Sequence, residues 1–525
     1  MPPRREADHG AIRNGLGRFA PSLVLLGIVV ADCGRYADTD LWGHVFFGSL
    51  ILHARGLVGR DPYSYSVPGH LWLRHEWLSQ AIMAAVYGVG GVIGLKLWKF
   101  ACTAATIVFI AAAEGETGAP RTVQFGVLMV AAGALVPQMQ FRPQLFTWVA
   151  MAALMAGIAR DNFGRRAPLW IAIPGLALWA NLHGGFFIGL VTLGVYTAVT
   201  GLQDLFAGRG LGRGLRLAGI TAASALATIA TPGGFGTWRA VAISLANPMT
   251  RQVMADWRPL IAVMGAQMHP PYSGMAFFAC VIGIIAATAI CFALAPRGQD
   301  LALMAIAALM TVAAFMAVRN MALAVIASSA PLARHAGIVA ARSGRRREAA
   351  DSSGNAPAAP LTPLTQGIIA VLAMALAVDS GLFSNKIRAA MEYPKGAVAF
   401  MRAHGVHGNI LNDFEWGEYL IWHTSPESKV FIDGRFDLVY PPGIVTEYLD
   451  FFKANENAGR VIGAYPHDFV LMPPGAPASG FMMRRADWKL VYRDRVAMLF
   501  ARAGSSAAQI PRIPITGTAP PSYFP

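Results

Sequence analysis

Four short polar clusters interrupt an otherwise apolar chain, and their residue types suit proton transfer and phosphate binding. The first begins Ala37-Asp38-Thr39-Asp40-Leu41-Trp42-Gly43-His44, passes Asp61 and ends Arg74-His75-Glu76-Trp77. Asp40 and His44, four residues apart, share a face if the segment is helical. A carboxylate at the mouth of a lipid-facing cavity can take the proton of an attacking hydroxyl. On that reading Asp40 is the base, Asp38 and Glu76 are supporting or alternate acids, and His44 orients the acceptor. Each acid alone has a plainer explanation. Asp38 or Asp40 caps an interfacial helix over Leu41 to His53, with Trp42, Phe46 and Leu50 on its apolar face, and Asp61, before Pro62, belongs to a turn.

The second cluster is Gln140-Phe141-Arg142-Pro143-Gln144, the third Trp179-Ala180-Asn181-Leu182-His183-Gly184-Gly185, and the fourth Arg319-Asn320. A guanidinium matches a phosphate well, so Arg142, Gln144, Asn181, His183 and Arg319 form the candidate substrate-binding set. Against this stands snorkelling: Arg142 and Arg319 at a membrane edge reach for headgroups whether or not they do chemistry. Asn181 and His183 in an apolar hairpin require a packing or functional role. His183 has no partners at metal-ligand spacing.

The elements that position these clusters follow from composition. Of 525 residues, 55% are hydrophobic and only 14% charged, with a mean hydropathy of +0.46. Apolar runs of about 20 residues recur from Phe19 to Phe383, which excludes collagenous, disordered, disulfide-stapled and coiled-coil classes. The net charge of +14 does not point to nucleic acid. From Ser384 onward 15 Lys and Arg face 13 Asp and Glu, so the excess lies in short segments between apolar runs, as the positive-inside bias produces. Cys33, Cys102, Cys280 and Cys291 all sit in apolar segments, and no disulfide framework is expected.

Placing the basic loops in the cytoplasm gives about eleven spans in a polytopic α-helical membrane protein. The expected organisation is a cytoplasmic N-terminus (1–18), a transmembrane domain (19–335) with a periplasmic loop (36–75) and interfacial helices, a cytoplasmic linker (336–363) and a last transmembrane helix (364–383). The first span, Phe19 to Arg35, is read as a retained anchor because Asp32-Cys33 stands where cleavage wants a small residue. Trp77 to Ile93, rich in glycine, is read as interfacial or re-entrant, separate from a span at Phe100 to Ala113.

Beyond residue 384 short β-patterned runs (Gly408-Asn412, Val430-Ile432, Phe469-Met472, Leu490-Tyr492, Ala497-Phe500) alternate with helical pieces such as Pro394 to His404. They predict a soluble periplasmic α/β domain (384–502) followed by a disordered tail (503–525). Trp416, Tyr419 and Trp422 suit packing against the membrane part better than stacking on sugar rings. Asp433-Gly434 reads as a strand-ending turn.

Asp38-Thr39-Asp40 after the first span, the long outer loop and the parity of later spans resemble the GT-C superfamily of membrane glycosyltransferases. The blocks DTDLWGH, DPYSYS, HEWLS, FRPQ, WANLHGG, WGEYLIW and VFIDGR are similar to a family of bacterial inner-membrane proteins grouped with it, over about Asp38 to Arg502. The resemblance implies a sugar donor carried on a polyprenyl phosphate, a catalytic acid in the first outer loop at Asp40 or Asp38, and inversion at the anomeric carbon. It also implies membrane lipids and a periplasmic glycan, lipid or protein acceptor as partners. No cofactor is certain. A divalent metal ion stays open, because the oligosaccharyltransferase-like members need one. Two rival classes are a transporter or flippase for lipid-linked substrates, which calls for mid-span charges and an internal repeat, and a non-catalytic assembly protein of the same fold.

Overall fold

The computed structural model describes residues 36–54, 57, 59–264, 275–295, 300–348, 384–510, 513–514 and 522–525. The expected spans at Phe19 to Arg35 and Gln366 to Phe383 lie outside these residues. Each of the other expected spans corresponds to a helix or to part of one. The helices are α1 (Leu41–Ala54), α2 (Trp77–Gly115), α3 (Arg121–Leu135), α4 (Gln144–Asn162), α5 (Ala172–Leu182), α6 (Phe186–Phe206), α7 (Gly212–Ala227), α8 (Phe235–Ala246), α9 (Met275–Leu294), α10 (Leu301–Met316) and α11 (Met321–Glu348). By length and composition three segments could cross a membrane: Trp77–Gly115, Phe186–Phe206 and Val318–Arg342. Other apolar helices, such as Leu301–Met316, are shorter.

Helix α2 joins the two pieces that sequence separates, with a break where the glycines cluster. Gly91 takes φ 56° and ψ −143°, in the left-handed half of φ that glycine tolerates. A Cβ at Gly94 would lie 2.5 Å from the Val86 carbonyl oxygen, so the two arms meet closely at the bend. Helix α11 runs on to Glu348, past the start of the expected linker at 336.

The C-terminal region is α/β. Strands β3 (Asn409–Asn412), β4 (Lys429–Val430), β5 (Phe469–Met472), β6 (Trp488–Arg493), β7 (Met498–Arg502) and β8 (Ile513–Pro514) form a sheet ordered β4-β3-β5-β7-β6-β8. The β4/β3/β5 part is parallel and β5/β7/β6 antiparallel. Every residue of β5 is buried, as expected for a strand covered on both faces.

A second sheet joins β1 (Tyr36–Ala37), β2 (Ile387–Ala389) and β9 (Tyr523–Phe524), in the order β1-β2-β9. Within 503–525, expected as a disordered tail, the described residues include two short strands. Residues 513–514 and 523–524 lie in strands, because a backbone edge and an aromatic pocket are there to receive them. Phe524 is fully buried, with its ring centroid 4.7 Å from that of Trp42, 5.7 Å from Tyr87 and 5.8 Å from Trp422. Trp42 also meets Tyr419 edge-on at 5.1 Å and Trp422 at 5.6 Å. Helix α1 is therefore no simple interfacial helix, since the C-terminal region covers the face that carries Trp42.

Phe524→Ala should lower stability by about 3 kcal/mol, the usual cost of emptying a buried aromatic site. Thermal unfolding in detergent checks this, with no measurable shift expected for Val89→Ala, whose parent side chain is 94% exposed.

Candidate active site

Arg142 lies just before α4, in the turn between the Val136–Gln138 single turn and Pro143, and its guanidinium is the hub of the site. Nε is 2.7 Å from Asp38 Oδ1, Nη2 3.1 Å from Asp40 Oδ2 and Nη1 3.3 Å from Asp256 Oδ2. Asp38 and Asp40 come from the entry to α1, where the Asp40 N–H donates to Asp38 Oδ1 at 3.0 Å. Asp256 stands in a short turn, Ala255–Trp257, that sequence reasoning passed over because a lone Asp between apolar runs carries no motif. Burial alone would lower the Arg142 pKa, but Asp38, Asp40 and Asp256 more than offset it and hold the group well above its usual value.

Glu76 gathers a second group at the start of α2. His75 Nε2 lies 3.5 Å and His183 Nε2 3.4 Å from Glu76 Oε1. His183 Nδ1 accepts the Gly185 N–H at 2.9 Å and lies 2.8 Å from the Thr147 hydroxyl, which receives the Trp179 indole N–H at 2.9 Å. That network leaves Nε2 as the protonated nitrogen of a neutral ring, facing Glu76. Burial, aided by Arg319 and His75, pushes His183 down to about 3 against the pull of Glu76. For Glu76, burial raises the pKa but His75, His183 and His44 outweigh it, so the carboxylate stays ionised. His44 is buried between the groups, with burial lowering its pKa against the charges of Glu76 and Asp38. Gln80 Nε2 approaches its Nδ1 at 3.5 Å.

The third component comes from the C-terminal region. Glu418, at the start of α13 (Gly417–Thr424), accepts the Gly43 N–H at 3.0 Å. Here α12 denotes Lys395–Ala403. A Cβ on Gly434 would sit 2.6 Å from Asp40 Oδ1 and 3.0 Å from Glu418 Oε1, so these carboxylates flank one gap. A Cβ on Gly43 would strike the Glu418 carboxylate, and one on Gly417 would lie 2.5 Å from Asp433 Cα. Three glycines from DTDLWGH, WGEYLIW and VFIDGR thus permit the approach of Glu418 to Asp40. Burial raises both carboxyls well above the usual range, Asp40 raises Glu418 further, and Arg142 partly restores Asp40. Nearby, burial and Asp413 lift Glu415 to about 7.

Asp433 and Asp61 do more than form turns. Asp433 receives Arg435 Nε at 2.8 Å and Nη2 at 2.6 Å, and Asp61 receives Arg435 Nη1 at 2.6 Å. Asp61 also accepts the N–H groups of Tyr63 and Ser64, its expected turn role. This buried salt bridge fastens the loop after α1 to the C-terminal sheet.

Other candidates fall differently. Asn181 receives the Trp77 indole N–H at 3.0 Å and donates to Ala177 and Ala230 carbonyls, a packing role. Gln144 opens α4 without a hydrogen bond to either group. Arg319 lies 3.9 Å from Asp256 and 4.5 Å above the Trp257 ring, close enough to His183 and Asp437 to lower both their pKa values. Of the cations at the site it is the least engaged by acids.

No protein-family profile and no curated protein sequence matches the chain. Its structure does match solved ones. The archaeal oligosaccharyltransferase AglB from Archaeoglobus fulgidus, in complex with an inhibitory peptide and a dolichol-phosphate, superposes with a TM-score of 0.57 at 14% identity, covering 87% of this chain and 69% of that one. The Archaeoglobus fulgidus oligosaccharyltransferase tethered to an acceptor peptide gives 0.53 at 12% identity, covering 86% and 69%. The arabinofuranosyltransferase AftD from Mycobacteria gives 0.50 at 13%, covering 93% of this chain and 42% of the larger one. The fold is that of the GT-C glycosyltransferases.

The divalent ion that oligosaccharyltransferase-like members need does not fit these residues. The Arg142 guanidinium already bridges Asp38, Asp40 and Asp256, and no group of three or more His, Cys, Asp or Glu among the described residues is placed to hold a metal ion. Arg142→Ala should leave Asp38 and Asp40 without their ion pair, and Asp256 with only Arg319 at 3.9 Å, and cost about 3–5 kcal/mol, as breaking a buried pair does. Millimolar Mn2+ should restore part of the lost thermal stability in the variant and leave the parent unchanged. A parent that gains as much as the variant would contradict the assignment.

Proposed function

We propose that this chain is an integral-membrane glycosyltransferase that moves a sugar from a polyprenyl-phosphate donor to a periplasmic glycan, lipid or protein acceptor. The observation that carries this reading is the convergence of Asp38, Asp40, Arg142 and Glu76 with its histidines in a GT-C fold. The dolichol-phosphate bound by the archaeal neighbour supports a lipid phosphate as carrier. The site then faces the periplasm, at the bacterial inner membrane.

In the reaction the acceptor oxygen forms a bond to the anomeric carbon while the bond from that carbon to the phosphate oxygen breaks. The electron pair leaves on the polyprenyl phosphate, and the acceptor proton passes to Asp40. Arg142 fixes Asp40 and opposes part of the rise that burial imposes on its carboxyl. Its own N–H groups face three acids, so it is a positioning residue rather than the phosphate ligand expected from sequence. His183, neutral, holds Glu76 in place. Arg319 is the cation left to meet the charge growing on the phosphate, and an oriented guanidinium in a partly dry cavity does this well. Glu418 and Gly434 form the wall opposite Arg142.

Asp40→Asn should reduce release of polyprenyl phosphate from a labelled donor by about 10²–10⁴-fold, the usual share of a general base, with thermal stability retained. Full activity in this variant would remove the base assignment. Arg319→Gln should weaken donor use while leaving the pH profile in place. Glu415→Gln should move the acid limb of the rate profile to lower pH, because the Glu415 carboxylate raises Asp40 and its removal eases Asp40 ionisation. Arg142→Gln should move it to higher pH.

A further inference from the structure

A second charged cluster lies at the other end of α4 from Arg142. Eighteen residue steps of helix place it about 27 Å from the start of α4, comparable to the roughly 30 Å hydrocarbon thickness of a bilayer. Here Asp161, Asn162, Gly164, Arg165, Arg166, Ala167, Pro168, Arg213 and Arg216 surround an open cavity of about 660 Å³. Arg213 Nη2 lies 2.8 Å from Asp161 Oδ2 and 3.0 Å from the Tyr196 hydroxyl, which donates to the same carboxylate at 2.7 Å. Arg216 reaches Asp161 Oδ1 at 3.5 Å, and Arg160 and Arg165 both contact Glu116, at 3.3 and 3.0 Å. Arg166 is exposed and forms no ion pair among the described residues. Five guanidiniums therefore face two carboxylates, leaving an excess of three positive charges around one cleft.

Short basic loops would satisfy the positive-inside bias with side chains splayed into water. These do otherwise. Asp161 and Tyr196 hold Arg213 in one orientation, and Gly164, at φ 76°, turns the loop so that Arg165 and Arg166 line the same cleft. Exposed apolar side chains neighbour these residues along the chain: Trp170, two positions after Pro168, is 60% exposed, and Leu211 and Leu215, flanking Arg213, are 56% and 67% exposed. A soluble anion needs no such neighbours, whereas acyl chains beside a headgroup do, and an indole suits the interface between them.

We propose that this cleft binds the headgroup of an anionic phospholipid, in the leaflet opposite the Asp40 site. The phosphodiester sits among Arg165, Arg166, Arg213 and Arg216, and its chains run over Trp170, Leu211 and Leu215. Nothing in this site depends on sugar transfer. The preference expected from several arginines beside an anionic headgroup is about tenfold or more.

The test uses the full-length protein in mild detergent, offered equimolar phosphatidylglycerol and phosphatidylcholine, with retained lipid counted by native mass spectrometry. Phosphatidylglycerol should be retained about tenfold over phosphatidylcholine. The triple variant Arg165→Gln, Arg166→Gln, Arg216→Gln, which spares the braced Arg213, should bring the ratio to within about twofold. Inorganic phosphate at millimolar concentration should leave the ratio unchanged. Arg166→Gln alone, at an exposed unpaired side chain, should lower the ratio by a smaller step and covers the case of a triple variant that fails to fold. Equal retention of the two lipids by the parent, an unchanged ratio in the variants, or displacement of the lipid by phosphate would each overturn the proposal.

Discussion

A guanidinium taken out of water must be matched by acids, and at Arg142 that requirement organises the whole site. The matching acids come from distant parts of the chain: Asp38 and Asp40 before α1, and Asp256 in a turn beyond α8. The net sign of that cluster is negative, so a further cation nearby is welcome. Arg319 fills that place loosely at 3.9 Å, with a face on Trp257. A buried pair of this kind is weak evidence for stability, since its gain barely covers desolvation. Its value lies in fixing where each carboxylate points.

A second buried guanidinium repeats the arrangement for a different end. Arg435 binds Asp433 with two nitrogens and Asp61 with the third, while its plane lies 4.5 Å from the Trp72 ring. The first arginine gathers three carboxylates, and the second fastens the C-terminal region to the loop that follows α1. Glu418 reaches Asp40 only because that lock is closed and because Gly43, Gly417 and Gly434 leave room.

Much of this was legible in the residues. The helices, the α/β pattern after residue 384 and the joint appearance of Asp40, Arg142 and His183 followed from hydropathy, loop charge and the cost of polar groups in apolar segments. What escaped had physical reasons. Asp256 and Glu418 carry no local signal, since one is an isolated acid in a turn and the other lies on a helix that reads as amphipathic. Arg142 looked like a phosphate ligand because sequence shows the charge of a side chain and not what surrounds it. His183 stood in the same substrate-binding set, and sequence does not show the hydrogen bonds and burial that favour its neutral ring. Asp61 was read for its turn, which it makes, but a turn does not reveal a partner more than three hundred residues away. The ordered strand at 523–524 was hidden because proline-rich composition speaks only for the local chain, and its order comes from Trp42 and β2.

The sheet β1-β2-β9 ties the order of synthesis to the completion of the fold. Tyr36–Ala37 is made well before its strand partner Ile387–Ala389 and before Tyr523–Phe524, which pairs with that partner on its other edge. Until then the segment that leads into Asp40 lacks its strand partner. The sheet is therefore complete only once Tyr523–Phe524 has been made, and the aromatic pocket that Phe524 shares with Trp42 is among the last parts of the fold to close.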